Sequence, residues 1–283
     1  MPSLTFAMNR TCAPHLPLGE FIALARGAAV SAVEIRNDVA GQEFMDGTPA
    51  ADLRRRLDDA GLKVASVNAL QRFNDWTSER EAEARALIAY AAKLGAPGLV
   101  MCPVIDEAHG WLEAELERNL RDALRGLRPI LADQGVTGYV EPLGMRGSTL
   151  MRQAKAVEAV ADIDGWDNFA LCYDTFQYFR CGDDRTVPQH VGLVHVSGIS
   201  RSDLTPGELS EPDRELVFVD DRVGNVVQLR ALASAGFKGY VSMEPFSPRI
   251  QQDPSLGTRL QASFAYLNAA VGAEGTSMQR AGA

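Results

Sequence analysis

The chain has 283 residues, 46% of them hydrophobic and 23% charged, which is the balance of a soluble globular protein long enough for one large core. Its formal net charge is −9 and its pI is near 5.0. The one basic cluster, Arg54, Arg55 and Arg56, sits in an acidic helical stretch and reads as a solvated face, so the basic footprint of a nucleic-acid or anionic-membrane partner is missing.

The N-terminal stretch MPSLTFAMNRTCAPHL lacks the basic start and long apolar run of a signal peptide, and no apolar run approaches the ~20 residues that span a bilayer. Cys12, Cys102, Cys172 and Cys181 are widely spread and form no CxxC pair. They read as free thiols in a reducing cytoplasm, without the spacing of a cysteine zinc site.

Along the chain, short Val-rich runs flanked by Gly or Pro predict eight strands: residues 4–9, 32–36, 64–69, 98–103, 138–142, 169–174, 192–198 and 240–245. Amphipathic stretches lie between them, most clearly Pro49–Ala60, Ser78–Leu94, Leu112–Asp133 and Thr149–Ala161, with Ser78 and Glu81 spaced as a capping box. Gly61, Gly95 and Gly236 each follow a helical pattern and precede a strand, where a left-handed residue is needed. Eight strand–helix units predict an α/β fold, a single-domain (β/α)8 TIM barrel over residues 1–272. A doubly wound sheet is the alternative, but the turn after the first strand reads NRTCAP rather than a glycine-rich phosphate loop. An extended polar loop at about 199–225 breaks the rhythm and reads as a lid or binding segment. Residues 273–283 read as a flexible tail.

Reactive groups of such a barrel sit at the C-terminal ends of its strands. There the sequence places Glu141, Asp174, His195 and Glu244, on four consecutive strands. Three adjacent carboxylates would repel one another and raise each other's pKa, a problem that a divalent cation removes. One imidazole and three carboxylates suit Mn²⁺, Mg²⁺ or Co²⁺, with Zn²⁺ also acceptable. The bland reading is four separate polar caps, and for His195 a core histidine bonded to a backbone carbonyl; their shared register favours ligation. His15, His109 and His190 lack that register, and His190 precedes its strand and reads as structural. Arg36 and Asn68 end the second and third strands and suit recognition of hydroxyls, with packing at the barrel mouth as the competing role. Phe73 and Trp76 offer a sugar-packing wall or plain core.

At these residues the chain resembles a known group. The segments EIRND, VNALQRFN, VEPLG, YDTFQYF, VHVSG and SMEPF resemble the xylose-isomerase-like barrel superfamily, and within it the inosose (2-keto-myo-inositol) isomerases of inositol catabolism, over about residues 4–270. The resemblance implies one divalent ion on Glu141, Asp174, His195 and Glu244, Mn²⁺ foremost, with Glu141 and Glu244 doubling as acid and base. It implies a substrate-binding residue at Gln177, where the family usually has histidine, and a substrate arginine before strand eight. Arg214 is the best match for that arginine and Arg222 the competitor.

The chemistry agrees. Charge that builds on a ketone oxygen when the neighbouring proton leaves is stabilised by a metal, giving a cis-enediolate that is reprotonated elsewhere. The expected function is therefore a metal-dependent isomerase or epimerase acting on a cyclic polyol ketone or free ketose, in the cytoplasm and without a redox cofactor. A dehydratase on the same metal and a non-catalytic sugar-binding barrel are the alternatives. The abasic-site endonucleases of this fold need more histidines and a basic groove. The loops SGISRSD and EPFSPR lack a phosphate-binding nest, although Arg201 and Arg249 are candidate anion contacts. The expected partner is a small molecule, not nucleic acid or membrane, and a homo-oligomer is compatible with the chain.

Overall fold

The computed structural model describes residues 4–184 and 186–273. Strands β1 (Thr5–Asn9), β2 (Ala32–Arg36), β3 (Lys63–Leu70), β4 (Gly98–Met101), β5 (Thr137–Val140), β6 (Phe169–Asp174), β7 (Val191–Val196) and β8 (Tyr240–Met243) pair in chain order, and β8 closes on β1 in parallel. The helices are α1 (Leu18–Gly27), α2 (Ala50–Asp59), α3 (Ser78–Leu94), α4 (Glu113–Gln134), α5 (Gln153–Asp162), α6 (Thr175–Arg180), α7 (Asn225–Ser234), α8 (Pro248–Gln251) and α9 (Leu256–Gly272). This is the single-domain (β/α)8 barrel, and every predicted strand is present with ends shifted by at most two residues. The strands read as near-continuous apolar runs because both faces of a closed parallel sheet are covered.

One predicted cap and one predicted helix start move. Thr77, not Ser78, caps α3: its side chain accepts from the Arg80 amide, so Ser78 is already helical. Residues 149–152 stay extended before α5, because Thr149 Oγ1 donates to the Val104 carbonyl and accepts from Asn74 Nδ2. At Gly95 the α3 C-cap has φ of 81°, the left-handed conformation expected there. Most of the tail, residues 274–283, lies outside the described residues.

Apolar residues divide into two layers. Val33, Ile35, Leu99, Val140 and Leu171 face outward from the strands and pack with helix residues such as Leu53, Leu87 and Leu124. Inside the barrel a smaller cluster holds Ala7, Ala32, Ala65, Val100, Tyr139, Cys172 and Leu193. The small residues make room for Tyr139. A Cβ on Gly98 would stand 2.2 Å from the Tyr139 ring, and one on Gly192 2.7 Å from it.

The segment between β7 and α7 is pinned rather than loose. Gly198 and Glu215 exchange both backbone hydrogen bonds at 2.8 Å. Ile199, Leu209 and Val223 pack with Phe176 of α6 in a separate apolar cluster. The segment thereby reaches the C-terminal mouth of the barrel.

Overpacking follows from the tight fit beneath that mouth. Gly98→Ala is expected to destabilise the protein by about 1–3 kcal/mol, read from the midpoint of urea unfolding. Tyr139→Leu in the same chain should recover part of the loss; an unchanged midpoint in Gly98→Ala would show that the interior is not packed as described.

Candidate functional site

The parallel ladder sets the site. Asp174 of β6 pairs with His195 of β7, and His195 with Ser242 of β8. Glu141 and Glu244 leave the sheet just beyond β5 and β8, their amides bonded to the Met101 and Val196 carbonyls of the neighbouring strands. These four side chains are buried, and one donor atom from each lies within 4.8 Å of the others. His195 Nδ1 stands 2.7 Å from Glu141 Oε1 and 3.4 Å from Glu244 Oε2. Asp174 Oδ1 accepts from the Phe176 and Gln177 amides and so caps α6, while Oδ2 accepts from Arg214 Nη2 at 2.7 Å.

Charge is balanced locally. Arg214, buried and delivered by the β7–α7 segment, also donates to Glu244 Oε2 (2.9 Å), Glu211 Oε2 (2.7 Å) and Ser197 Oγ. Glu244 Oε1 receives Asn9 Nδ2 and Arg36 Nη1, each at 3.1 Å. Burial raises the Glu244 pKa to about 7; His195 and Arg214 pull it down, while neighbouring Glu141 pushes it up. Burial also presses on Glu141, but the charge and hydrogen bond of His195 outweigh it and hold that carboxyl below the usual range. Asp174 is raised, burial and Glu141 prevailing over Arg214. Burial works against an imidazolium at His195, yet the surrounding acidic groups, Glu244, Glu34 and Glu141 among them, raise its pKa well above the ordinary value.

These residues fit a divalent cation. Donors about 2.1 Å from one ion stand about 3 Å apart when adjacent, and the 2.7 and 3.4 Å spacings around His195 Nδ1 bracket that value. Three hard carboxylates with one imidazole are a donor set for Mn²⁺, Mg²⁺, Co²⁺ or Zn²⁺. In the protein alone, the imidazolium and the Arg214 guanidinium supply the positive charge. Cys172 Sγ lies 3.4 Å from His195 Nδ1 and 3.7 Å from Glu141 Oε1, one layer deeper in the barrel, so a thiol also adjoins the group. The four cysteines are free, as expected.

Above the four residues lies a cavity of about 200 Å³, lined by Arg36, Asn68, Glu141, Gln177, Arg214 and Glu244 together with Glu211 and Phe246 among others. All four residues expected at the substrate, Gln177, Arg214, Arg36 and Asn68, thus share one wall system with the two glutamates. Arg222, the competitor of Arg214, instead bonds the Arg201 and Leu204 carbonyls and braces its own segment. Of the two roles open to Phe73 and Trp76, they take the core: Phe73 is fully buried, and Trp76 packs into the hollow at Gly126. The aromatic at the cavity is Phe246, which also faces the Arg214 guanidinium at 4.8 Å. His190 stacks on Trp166 at 3.7 Å just before β7, a structural role.

Two carboxylates escaped the sequence reading. Glu34 of β2 points into the barrel beneath His195, and Glu211 comes from the long segment. Glu34 lies two residues before Arg36 and so shares its face of β2, a signal that could have found it. Glu211 lies in a polar stretch with no periodic signal.

Proton competition follows from these charges. A cation at the four residues must displace the proton that Glu244 carries below about pH 7, as well as the Nδ1 proton of the imidazolium. Because both pKa values are raised, affinity should climb with pH: the slope of log affinity is expected to be about two below pH 7 and about one above it. Calorimetric titration of metal-free protein with Mn²⁺ in buffers of different ionisation enthalpy reads the protons released; a pH-independent affinity would rule out this arrangement.

Comparison with known proteins accords with the geometry. No curated protein matches the sequence. Among solved structures, a xylose isomerase domain containing protein from Salmonella typhimurium LT2 is 26% identical, with a TM-score of 0.84 over 93% of this chain and 97% of that one. The IOLI protein with a bound zinc atom is 20% identical, with a TM-score of 0.82 over 93% and 96%. L-ribulose 3-epimerase is 18% identical, with a TM-score of 0.64 over 94% and 92%. The latter two likenesses show the fold. A family model described as xylose isomerase-like TIM barrel matches residues 22–269, so the chain belongs to the xylose isomerase-like TIM barrel family.

Proposed function

We propose that this protein is a divalent-metal-dependent isomerase or epimerase of a neutral polyol ketone, such as an inosose, or of a free ketose, acting in the cytoplasm with Mn²⁺ as its first-choice ion. One observation carries the reading: Glu141 and Glu244 belong at once to the buried ligand group and to the wall of a sugar-sized cavity. Glu141, Asp174, His195 and Glu244 would hold the cation, which supplies positive charge against the negative charge growing on a ketone oxygen. The family and its fold relatives, an L-ribulose 3-epimerase among them, support the same class.

The protein's own groups do the rest. Glu141 and Glu244 both line the cavity, so one of them is placed to take the proton next to the ketone. The other is placed to return one, to the adjacent carbon for isomerisation or to the opposite face for epimerisation. Gln177 selects the substrate. Its Nε2 donates to Glu211 Oε1 at 3.0 Å, which fixes the amide orientation and leaves Oε1 as a buried acceptor without a partner among the described residues. Such an acceptor suits a hydroxyl donor and, beside Glu211, disfavours an anion. Arg201 and Arg249 are paired with Asp203, Asp213 and Glu215, so neither is a ready phosphate contact.

Deuterium exchange tests the reading. Protein reloaded with Mn²⁺ should exchange the α-proton of at least one inosose, ketohexose or ketopentose in D₂O, followed by NMR; exchange of none overturns it. Glu141→Gln and Glu244→Gln should each lower exchange by about 10²–10⁴-fold, and full activity in either would remove that residue from the proton path. Gln177→Leu should raise KM about tenfold with bound metal unchanged, the loss expected for one buried hydrogen bond.

A further inference from the structure

The imidazole of His195 is held on both sides, and the second side is unexplained by ligation. Its Nδ1 faces Glu141 and Glu244, whereas its Nε2 lies 3.0 Å from Glu34 Oε1 and 3.1 Å from Glu34 Oε2. Glu34 is fully buried on β2, across the barrel from β7. We infer that Glu34 is a positioning residue for the cation site: it accepts the Nε2–H of His195, fixes that tautomer and ring orientation, and so presents the Nδ1 lone pair to the ion. The assignment rests on a cation being held by Glu141, Asp174, His195 and Glu244.

The surroundings of Glu34 are built for acceptance alone. Oε1 also receives Ser66 Oγ at 2.7 Å and Asn68 Nδ2 at 3.1 Å, and Oε2 receives Ser242 Oγ at 2.8 Å. Three donors from β3 and β8 therefore lock the carboxylate in place before it meets the imidazole. No arginine or lysine makes an ion pair with Glu34 among the described residues. A buried carboxylate satisfied only by neutral donors and one imidazole is costly as a purely structural device. It is the usual outer partner of a metal-bound histidine, where it fixes which ring nitrogen carries the proton. Asn68 adds a link, since its Nδ2 also lies 3.4 Å from Glu244 Oε1. The floor beneath the four ligands is thus one connected polar layer from Ser66 and Ser242 through Glu34 to His195.

The test reads the ring nitrogens directly. The chain has four histidines, so ¹⁵N-histidine labelling gives few imidazole signals to assign. On adding Zn²⁺ to metal-free wild-type protein, His195 should show a coordinated Nδ1 and a protonated, slowly exchanging Nε2. Glu34→Gln, which keeps an acceptor but loses the charge, should weaken Zn²⁺ binding about tenfold, and Glu34→Ala about 100-fold. Coordination through Nε2, or wild-type affinity in both variants, overturns the inference while leaving the four-residue site intact. Wild-type protein that binds no Zn²⁺ or Mn²⁺ overturns the site itself and this role with it. Should Glu34→Ala fail to fold, the wild-type spectrum still decides which nitrogen binds the ion.

Discussion

Four buried carboxylates around one imidazole are the constraint on which the mouth of this barrel depends. Glu34, Glu141, Asp174 and Glu244 would be prohibitive together in a dry interior unless positive charge and donors met them. Each feature of the mouth can be read as an answer to that demand. The parallel ladder brings His195 beside Asp174; Arg36 rises from β2 to Glu244; and the β7–α7 segment folds back far enough to lay Arg214 across Asp174 and Glu244. Arg214 in turn ties the loop after β8, because its carbonyl accepts the Phe246 and Ser247 amides. The long segment is therefore an electrostatic member of the site as well as a cover.

The same crowding makes the two glutamates different. Both are buried, and both adjoin His195, but Glu141 has the short contact at 2.7 Å and Glu244 the longer one at 3.4 Å. Glu141 is held ionised, while Glu244 is poised near neutrality despite Arg36 and Arg214. Without a cation the two therefore hold protons with different strength, and Glu244 is the one whose proton a cation has to displace. The asymmetry comes from where the imidazole sits, with Glu141 and Glu244 on its Nδ1 side and Glu34 on its Nε2 side.

Much of this was legible in the sequence, because a closed parallel sheet turns linear position into spatial register. A residue at the end of one apolar run must neighbour the residue at the end of the next, which is why Glu141, Asp174, His195 and Glu244 could be grouped before any coordinates. Arg214 was reachable only by resemblance, since nothing in EPDREL marks which side chain folds inward. The face of Glu34 was legible from Arg36 two residues on, but its contact with His195 was not, and the register shift between Val33 and Glu34 against β3 is a tertiary fact. Trp76 is core and not cavity wall for a packing reason. Gly126 on α4 opens a hollow that only a large ring fills, and Trp76 is drawn there, away from the mouth.

Under the proposed function, Gln177 is the point at which charge balance and specificity would meet. An ionisable group at its position would stand beside Glu211 and Arg214, adding a titrating charge to a region that already balances. An amide adds none. It also has a direction: Nε2 is held by Glu211 and Oε1 is a buried acceptor without a partner among the described residues, so under the proposed function the position would discriminate by hydrogen-bond polarity and not by charge. A hydroxyl satisfies that acceptor, whereas a carbonyl, an ether or a phosphate oxygen leaves it buried and unpaired, a penalty larger than the bond itself is worth. Under the proposed function, Glu211, reaching in from the same segment that brings Arg214, would couple substrate choice to the charge network.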